Sequence, residues 1–246
     1  AQIEEQEGND ELAIGLFGTV QGSELEVDAV MRMAQILARN GRLEQAREAL
    51  QRARIANPGR AADLYIGETQ IVQKYGDRDA ALALYATALG AYPDNRDLLY
   101  NRALYVVELG DFAWMERDLR RLLEDDPENV DALNALGYTL ADRNERLDEA
   151  FALVSRALKL RPDSPAILDS MGWVLYRQGD LERAATYLRR ALQLNQDDEI
   201  AAHLGEVLWV SGERADAQAV WREALVHAPD SDKIREVLER LQAELK

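Results

Sequence analysis

Two histidines, His203 and His227, are the only imidazole side chains of this sequence that could share acid–base or metal chemistry. The sequence predicts them in different helices, and no Asp or Glu residues at ligand spacing accompany them. No nucleophile, base and orienting group stand at usable spacing. Cysteine is absent, which excludes cysteine nucleophiles, cysteine-based zinc sites and disulfides. We therefore expect no catalytic residue, no metal, no cofactor and no enzymatic activity.

Three short stretches could be mistaken for ligand loops. "GTVQGSE" at 18–24 carries two glycines, but it lacks the lysine and the preceding strand of a phosphate loop. The acidic stretches "EDDPEN" and "NQDDE" lack the glycine and the terminal glutamate of a calcium loop. All three are interpreted as turns.

The overall charge favours a protein partner. The 246 residues carry a formal net charge of −16, which repels nucleic acid backbones. No apolar stretch is long enough to span a membrane, and the charged residues that begin at Ala1 do not show the basic and apolar segments of a signal peptide. The sequence is therefore expected to be a processed protein or a fragment.

Charge is unevenly spread near the amino terminus. Residues 1–26 carry seven acids and no base, whereas residues 27–61 carry seven arginines against three acids. The basic segment could contact an acidic partner or neutralise the acidic stretch before it, and the second interpretation is favoured.

A period of about 34 residues organises the chain. Glycines that end short helical patterns are separated by 35, 34, 69 and 33 residues, the third interval being two periods. Prolines follow the same spacing. The glycines are Gly41, Gly76, Gly110, Gly179 and Gly212, and the prolines are Pro58, Pro93, Pro127, Pro162 and Pro229.

A small residue stands seven positions before each loop glycine. These residues are Ala34, Thr69, Ala103, Gly172 and Gly205, with Gly137 in the repeat that lacks the loop glycine. A glycine inside a helix costs about 1 kcal/mol against alanine. Gly172 is explained if its helix closely approaches the Ala184/Ala191 stripe of a partner helix, while Trp173 points elsewhere.

This pattern resembles the tetratricopeptide repeat (TPR) family, which implies an all-α solenoid of stacked antiparallel helix pairs in a right-handed superhelix. Met115 and Leu122 depart from it, since alanine is usual at both positions. The predicted division is 1–26 as the tail of an earlier repeat, six repeats at 27–61, 62–95, 96–129, 130–164, 165–197 and 198–231, and a capping helix at 232–246.

The first helices of such repeats would line a concave groove. The residue after each small position, and its neighbours three or four away, would face it. Aromatic side chains there are favoured anchors, although packing against the next repeat is equally expected. The candidate partner-binding residues are Tyr100, Tyr138, Asp169, Trp173, Tyr176, Arg177, Glu206 and Trp209, and the other lining positions are Met31, Gln35, Arg39, Ile66, Gln70, Lys74, Leu104 and Asn134. The pair Trp173→Ala and Tyr138→Ala is expected to weaken binding with little loss of helicity.

Three phrases, "NALGYTLADRNERLDEA", "ILDSMGWVLYRQGDLERAATYLRRAL" and "AAHLGEVLWVSGERADAQAVWREAL", resemble carboxyl-terminal repeats of TPR outer-membrane lipoproteins of pseudomonads. The resemblance implies a non-enzymatic adaptor that brings a periplasmic carboxyl-terminal processing protease to its cell-wall-hydrolase substrates. It further implies a place on the periplasmic side of the outer membrane, through a lipid anchor outside this chain. An assembly factor for envelope, pilus or secretion machinery and the TPR arm of a larger enzyme remain alternatives.

Overall fold

A computed structural model of the chain describes residues 1–22 and 25–242. Within these ranges the structure contains fifteen α-helices, one short 3₁₀ turn at Pro58–Arg60 and no β-strand. The helices are α1 (Gln2–Gln6), α2 (Asp10–Gly18), α3 (Glu26–Arg39), α4 (Leu43–Ala56), α5 (Ala61–Tyr75), α6 (Arg78–Ala91), α7 (Arg96–Glu108), α8 (Phe112–Asp125), α9 (Val130–Asp142), α10 (Leu147–Leu160), α11 (Pro165–Arg177), α12 (Leu181–Leu194), α13 (Asp198–Val210), α14 (Arg214–His227) and α15 (Asp232–Leu241). The predicted all-α class of stacked helix pairs is confirmed.

The chain divides into two compact units. The amino-terminal unit covers Ala1–Asp118, and the carboxyl-terminal unit begins at Leu119. The boundary falls inside α8, the helix in which Met115 and Leu122 replace the usual alanines, and both side chains are buried. The division into six repeats stays a prediction, and the last four residues of the predicted capping helix lie outside the described range.

Glycine allows the paired helices of the carboxyl-terminal unit to approach closely. A Cβ atom at Gly172 of α11 would lie 2.5 Å from Leu188 Cγ and 3.2 Å from the Ala184 carbonyl oxygen of α12. A Cβ atom at Gly205 of α13 would lie 2.0 Å from Trp221 Nε1 of α14. The predicted role of Gly172 is confirmed, but it contacts Leu188 and the backbone of Ala184 rather than an alanine stripe alone.

The turns inside the helix pairs follow the glycine pattern with one exception. Gly41, Gly110, Gly179 and Gly212 adopt left-handed backbone conformations with φ between 76° and 92°. Gly76 is the exception, since its φ is −105°. Glycine is required there for space, because a Cβ atom would lie 2.8 Å from the Val72 carbonyl oxygen.

The repeat that lacks the loop glycine turns with ordinary side chains. Asn144 and Arg146 take left-handed conformations with φ of 57° and 45°. Asparagine tolerates this region better than most residues. This turn still connects α9, which ends at Asp142, to α10, which begins at Leu147.

Asparagine side chains cap the start of two of the first helices. The side chain of Asn95 accepts a hydrogen bond from Leu98 N at 2.9 Å, and that of Asn129 accepts one from Ala132 N at 3.0 Å. Such caps satisfy backbone donors that the first turn leaves open. Ser164 makes no side-chain cap bond, and α11 starts instead with Pro165 at its first position.

Arginines of the amino-terminal unit pair with the acidic stretch that precedes them. Arg32 binds Glu5 at 3.1 Å, Arg42 binds Glu11 at 2.7 Å, and Arg39 binds Asp10. For these three of the seven arginines, the favoured interpretation, neutralisation of the preceding acidic stretch, is confirmed. These exposed pairs contribute little each, but together they tie α1 and α2 to the first helix pair.

Two buried carboxylates inside the same unit are also paired. Glu68 of α5 is 2% exposed and accepts hydrogen bonds from Arg47 and Arg54 of α4. Asp118 of α8 is 3% exposed and receives two bonds of 2.8 Å from Arg102 of α7. A buried carboxylate needs such partners because its desolvation costs several kcal/mol.

Candidate protein-interaction site

The first helices of successive pairs form what we call the first-helix face, taken separately in each unit. In the amino-terminal unit it belongs to α3, α5 and α7, and in the carboxyl-terminal unit to α9, α11 and α13. Its residues are those that follow each small position and their neighbours three or four away. These are the positions at which the sequence places the candidate partner-binding residues.

In the carboxyl-terminal unit this face is closed around His203. The Nδ1 atom of His203 on α13 lies 2.9 Å from Asp169 Oδ1 on α11, and both residues are buried. The indole of Trp173 stacks on the imidazole with ring centroids 4.2 Å apart and 23° between the planes. The ring of Tyr138 on α9 lies 6.1 Å away. Three consecutive first helices thus meet at one side chain.

The acidic neighbours of His203 favour its protonated form. Burial alone lowers the pKa of this imidazole, but Asp169, with smaller contributions from Glu199 and Glu206, raises the pKa above its ordinary value. The net direction is upward because a carboxylate in direct contact stabilises the imidazolium strongly in a low-dielectric site. The stacked indole offers the charged ring a further cation–π contact.

A second polar group closes the same face towards α15. Glu206 is fully buried and receives a hydrogen bond of 2.9 Å from the Tyr176 hydroxyl. Arg240 of α15 donates two further bonds to this carboxylate, of 2.5 and 2.7 Å. Burial, followed by the Glu206 charge, raises the pKa of Tyr176 to about 12. α15 therefore supplies the cation that the buried carboxylate needs.

Tyr138 has a similar environment. Its hydroxyl lies 3.4 Å from Glu199 Oε1, and Lys233 of α15 approaches the same carboxylate oxygen at 3.4 Å. Burial first, and the nearby carboxylates next, raise the pKa of Tyr138 well above its ordinary range. The hydroxyl therefore stays a donor throughout the neutral range.

The structure corrects the accessibility of three candidates. Asp169, Trp173 and Glu206 are 7%, 4% and 0% exposed, so they are not open anchors for a partner. They are buried because each contacts a side chain of an adjacent repeat. Trp173 also lies 3.3 Å from Asp142 Oδ1 through its indole nitrogen.

The other five candidates are half-buried, and their binding role stays a prediction. Tyr138 and Tyr176 are in the contacts just described, and Tyr100 lies on α7. Arg177 lies 5.8 Å from the Trp173 ring, and Trp209 lies 5.9 Å from Trp221 with the Arg214 guanidinium 4.9 Å from its ring.

In the amino-terminal unit the part of this face on α3 and α5 carries exposed polar side chains. Gln35 and Arg39 of α3 and Gln70 and Lys74 of α5 are exposed. They line a shallow cleft of about 350 Å³, to which Glu5, Ile71 and Tyr75 also contribute. The ammonium of Lys74 lies 5.4 Å from the Tyr75 ring. This cleft offers two amides and a cation to a polar partner.

Sequence reasoning missed the internal pairs of the carboxyl-terminal unit, although the sequence contains a signal for them. Asp169 and His203, Glu206 and Arg240, and Glu199 and Lys233 are each 34 residues apart. One repeat period therefore separates the partners of each pair. A search for complementary side chains one period apart would have found all three.

Comparison with known proteins agrees with this geometry. Residues 128–197 match one tetratricopeptide repeat family, and residues 1–61, 31–74 and 71–113 match a second of the same description. The chain belongs to the TPR family. TPR stacks bind proteins, and the chain is a TPR protein-interaction scaffold.

Similar proteins include a longer TPR repeat-containing protein of Pseudomonas aeruginosa. The two are 46% identical over 178 residues, which cover 72% of this chain and 30% of that protein. A TPR protein of Thermus thermophilus has a similar structure, with a TM-score of 0.63, 24% identity, and coverage of 74% of this chain and all of that one. PilW, a type IV pilus biogenesis factor, superposes with a TM-score of 0.68 at 17% identity, over 88% of this chain and all of its own. At these identities the two structures support the fold alone.

Residues 1–22 and 25–242 contain no group of three or more His, Asp or Glu residues placed to hold a metal ion. No helix among them has both the length and the apolar character needed to cross a bilayer.

Proposed function

We propose that this TPR chain is part of an adaptor that holds a carboxyl-terminal processing protease beside its cell-wall-hydrolase substrates. Holding two proteins on one scaffold raises the concentration of each for the other without any catalytic group in the scaffold. The proposal includes attachment to the periplasmic side of the outer membrane through a lipid outside these residues. It is supported by the resemblance of the carboxyl-terminal repeats and by the 46% identical pseudomonad relative.

The observation that carries the docking part of the proposal is the open first-helix face of the amino-terminal unit. Gln35 and Gln70 expose amides on neighbouring first helices, and Lys74 exposes a cation beside them. Amide side chains both donate and accept, so they can bind the backbone of an extended segment of a partner. The buried aromatic residues of the carboxyl-terminal unit would instead keep its repeats rigid.

The test is a reconstitution with the processing protease and one hydrolase substrate encoded in the same genome. Affinity-tagged chain should retain both proteins together, and cleavage of the hydrolase should be faster when the chain is present. Gln70→Ala with Lys74→Ala should weaken retention of one partner about tenfold, since two polar contacts are lost. Glu48→Ala with Arg52→Ala, which changes exposed residues of the second helix α4, is the matched control.

Failure to retain the protease at micromolar concentrations would refute the adaptor proposal. Recovery of secretin subunits from envelope extract, with no protease, would favour an assembly factor. Retention that the control variant weakens as much as the test variant would place docking outside the cleft.

A further inference from the structure

A separate pocket lies in the carboxyl-terminal unit, between the end of α12, the start of α13 and the outer side of α14. Its volume is about 220 Å³. The apolar part of its lining comes from Leu192, Ala201, Val220, Ala224 and Ala228. It does not include any of the residues that close the first-helix face around His203. The pocket is therefore independent of the adaptor proposal above.

Most of the ionisable residues that line this pocket are acidic. Asp197, Asp198 and Glu223 line it together with His227, and its lining contains no lysine or arginine. Asp197 uses Oδ1 to cap α13, accepting from Glu199 N at 2.9 Å, and Asp198 accepts from the Ser231 hydroxyl through Oδ2. Glu223 is exposed and forms no ion pair within the described part of the chain. One carboxylate is thus unpaired at the mouth, and two others are held in fixed positions beside it.

The shape and the charge together select a ligand. Pockets for whole small molecules usually measure about 300–1,000 Å³, so 220 Å³ suits one side chain better. A lining that contains both apolar and acidic residues complements a side chain with an aliphatic stem and a cationic head. Arginine fits better than lysine, because its guanidinium is weakly hydrated and donates to two carboxylates at once.

We propose that this pocket binds one arginine side chain of a partner protein, with the stem against Leu192 and Val220 and the guanidinium between Glu223 and the Asp197–Asp198 pair. Arginine is enriched among residues that dominate binding at protein interfaces. The pocket gives the scaffold a contact on its second-helix side that the groove positions do not provide. A partner segment with an exposed arginine flanked by small residues meets this requirement.

The test titrates the ¹⁵N-labelled chain with N-acetyl-arginine methylamide and follows backbone amide shifts. The uncharged matched probe is N-acetyl-citrulline methylamide, which keeps the shape and loses the cation. We expect the arginine probe to shift the amides of Val220, Glu223 and Ala224 with a roughly millimolar Kd, as befits a single side chain. Citrulline should produce shifts only at much higher concentration.

Two variants that each remove one carboxylate charge test whether Glu223 binds the arginine probe. Glu223→Gln should weaken arginine binding about fivefold, the effect of one exposed ion pair of about 1 kcal/mol. Glu236→Gln removes one exposed carboxylate from α15 and should leave the affinity unchanged. Shifts spread over the whole acidic surface, equal binding of citrulline, or equal weakening by both variants would overturn the proposal. Because Glu223 is exposed, its variant does not threaten the fold.

Discussion

On α3 and α5 of the amino-terminal unit the first-helix face carries exposed polar side chains, whereas in the carboxyl-terminal unit it is packed with aromatic and charged side chains. Gln70 follows the small residue Thr69 and faces solvent, but Trp173 and Glu206 follow Gly172 and Gly205 and are buried. Equivalent repeat positions therefore serve different purposes. In the carboxyl-terminal unit Trp173 stacks on His203 of the next first helix, and Glu206 is paired with Arg240 of α15.

The two units differ in how their polar side chains are used. In the carboxyl-terminal unit, Asp169, His203, Glu206 and Arg240 link consecutive repeats through buried polar contacts. In the amino-terminal unit, the buried carboxylates Glu68 and Asp118 are paired with arginines of neighbouring helices, whereas Gln35 and Gln70 are exposed. The exposed amides are accessible to solvent, and the carboxyl-terminal face is committed to internal contacts.

Among the variants that test this difference between the units, Trp173→Ala should have the largest effect on the free energy of unfolding. Removing an indole that is 4% exposed and stacked on His203 should lower the free energy of unfolding by about 3–5 kcal/mol. This replaces the expectation that the variant is structurally mild. The measurement is a urea unfolding curve followed by circular dichroism, with Gln70→Ala as the control, which should stay within about 0.5 kcal/mol. Equal midpoints for the two variants would show that the carboxyl-terminal face is not closed.

A smaller effect is expected from Gly205→Ala. The added Cβ atom would lie 2.0 Å from the Trp221 ring, and such overpacking costs about 1–3 kcal/mol despite the better helix propensity of alanine. Gly90→Ala is the matched control, because nothing lies within 4 Å of its added Cβ atom. The control should stabilise the chain by about 0.5–1 kcal/mol. A stabilising Gly205→Ala would refute the close approach of α13 and α14.

The stability of the carboxyl-terminal unit should depend on pH through the protonation of His203. The pKa of His203 in the folded chain lies above its ordinary value of 6.5, so the folded state binds this proton more tightly than the unfolded state. The resulting stabilisation is fully present below pH 6.5 and is lost as pH rises through the raised pKa. Besides Asp169, the ionisable groups facing the imidazole are Glu199, Glu206 and Tyr138.

The measurement compares unfolding midpoints of the chain and of Asp169→Asn from pH 5.5 to 8.5. The difference in unfolding midpoint between the unchanged chain and Asp169→Asn should be largest at the acidic end of this range and should decrease towards the alkaline end. Asp163→Asn, which removes an exposed partner of Arg190, should show no such trend. A gap that widens with pH would contradict the assigned direction.

Much of the fold could be predicted from the sequence, because helix pairing depends on local signals that recur every 34 residues. The close approach at Gly172 was predictable, since only a helix crossing explains a glycine there. The direction in which a side chain points relative to the next repeat could not be predicted. Trp173 occupies the same position in the pattern whether it points to solvent or stacks on His203. The unusual turn at Gly76 depends likewise on one carbonyl of Val72 rather than on the repeat.

The most direct test of the contrast uses the absence of cysteine in this chain. Gln70→Cys places a thiol on the amino-terminal face, and Ala202→Cys places one on the carboxyl-terminal face, where Ala202 is 2% exposed. In native conditions the thiol at position 70 should react with a maleimide about a hundredfold faster than the thiol at position 202, because a buried thiol reacts only after local opening. Both should react alike in urea, whereas equal native rates would contradict the account.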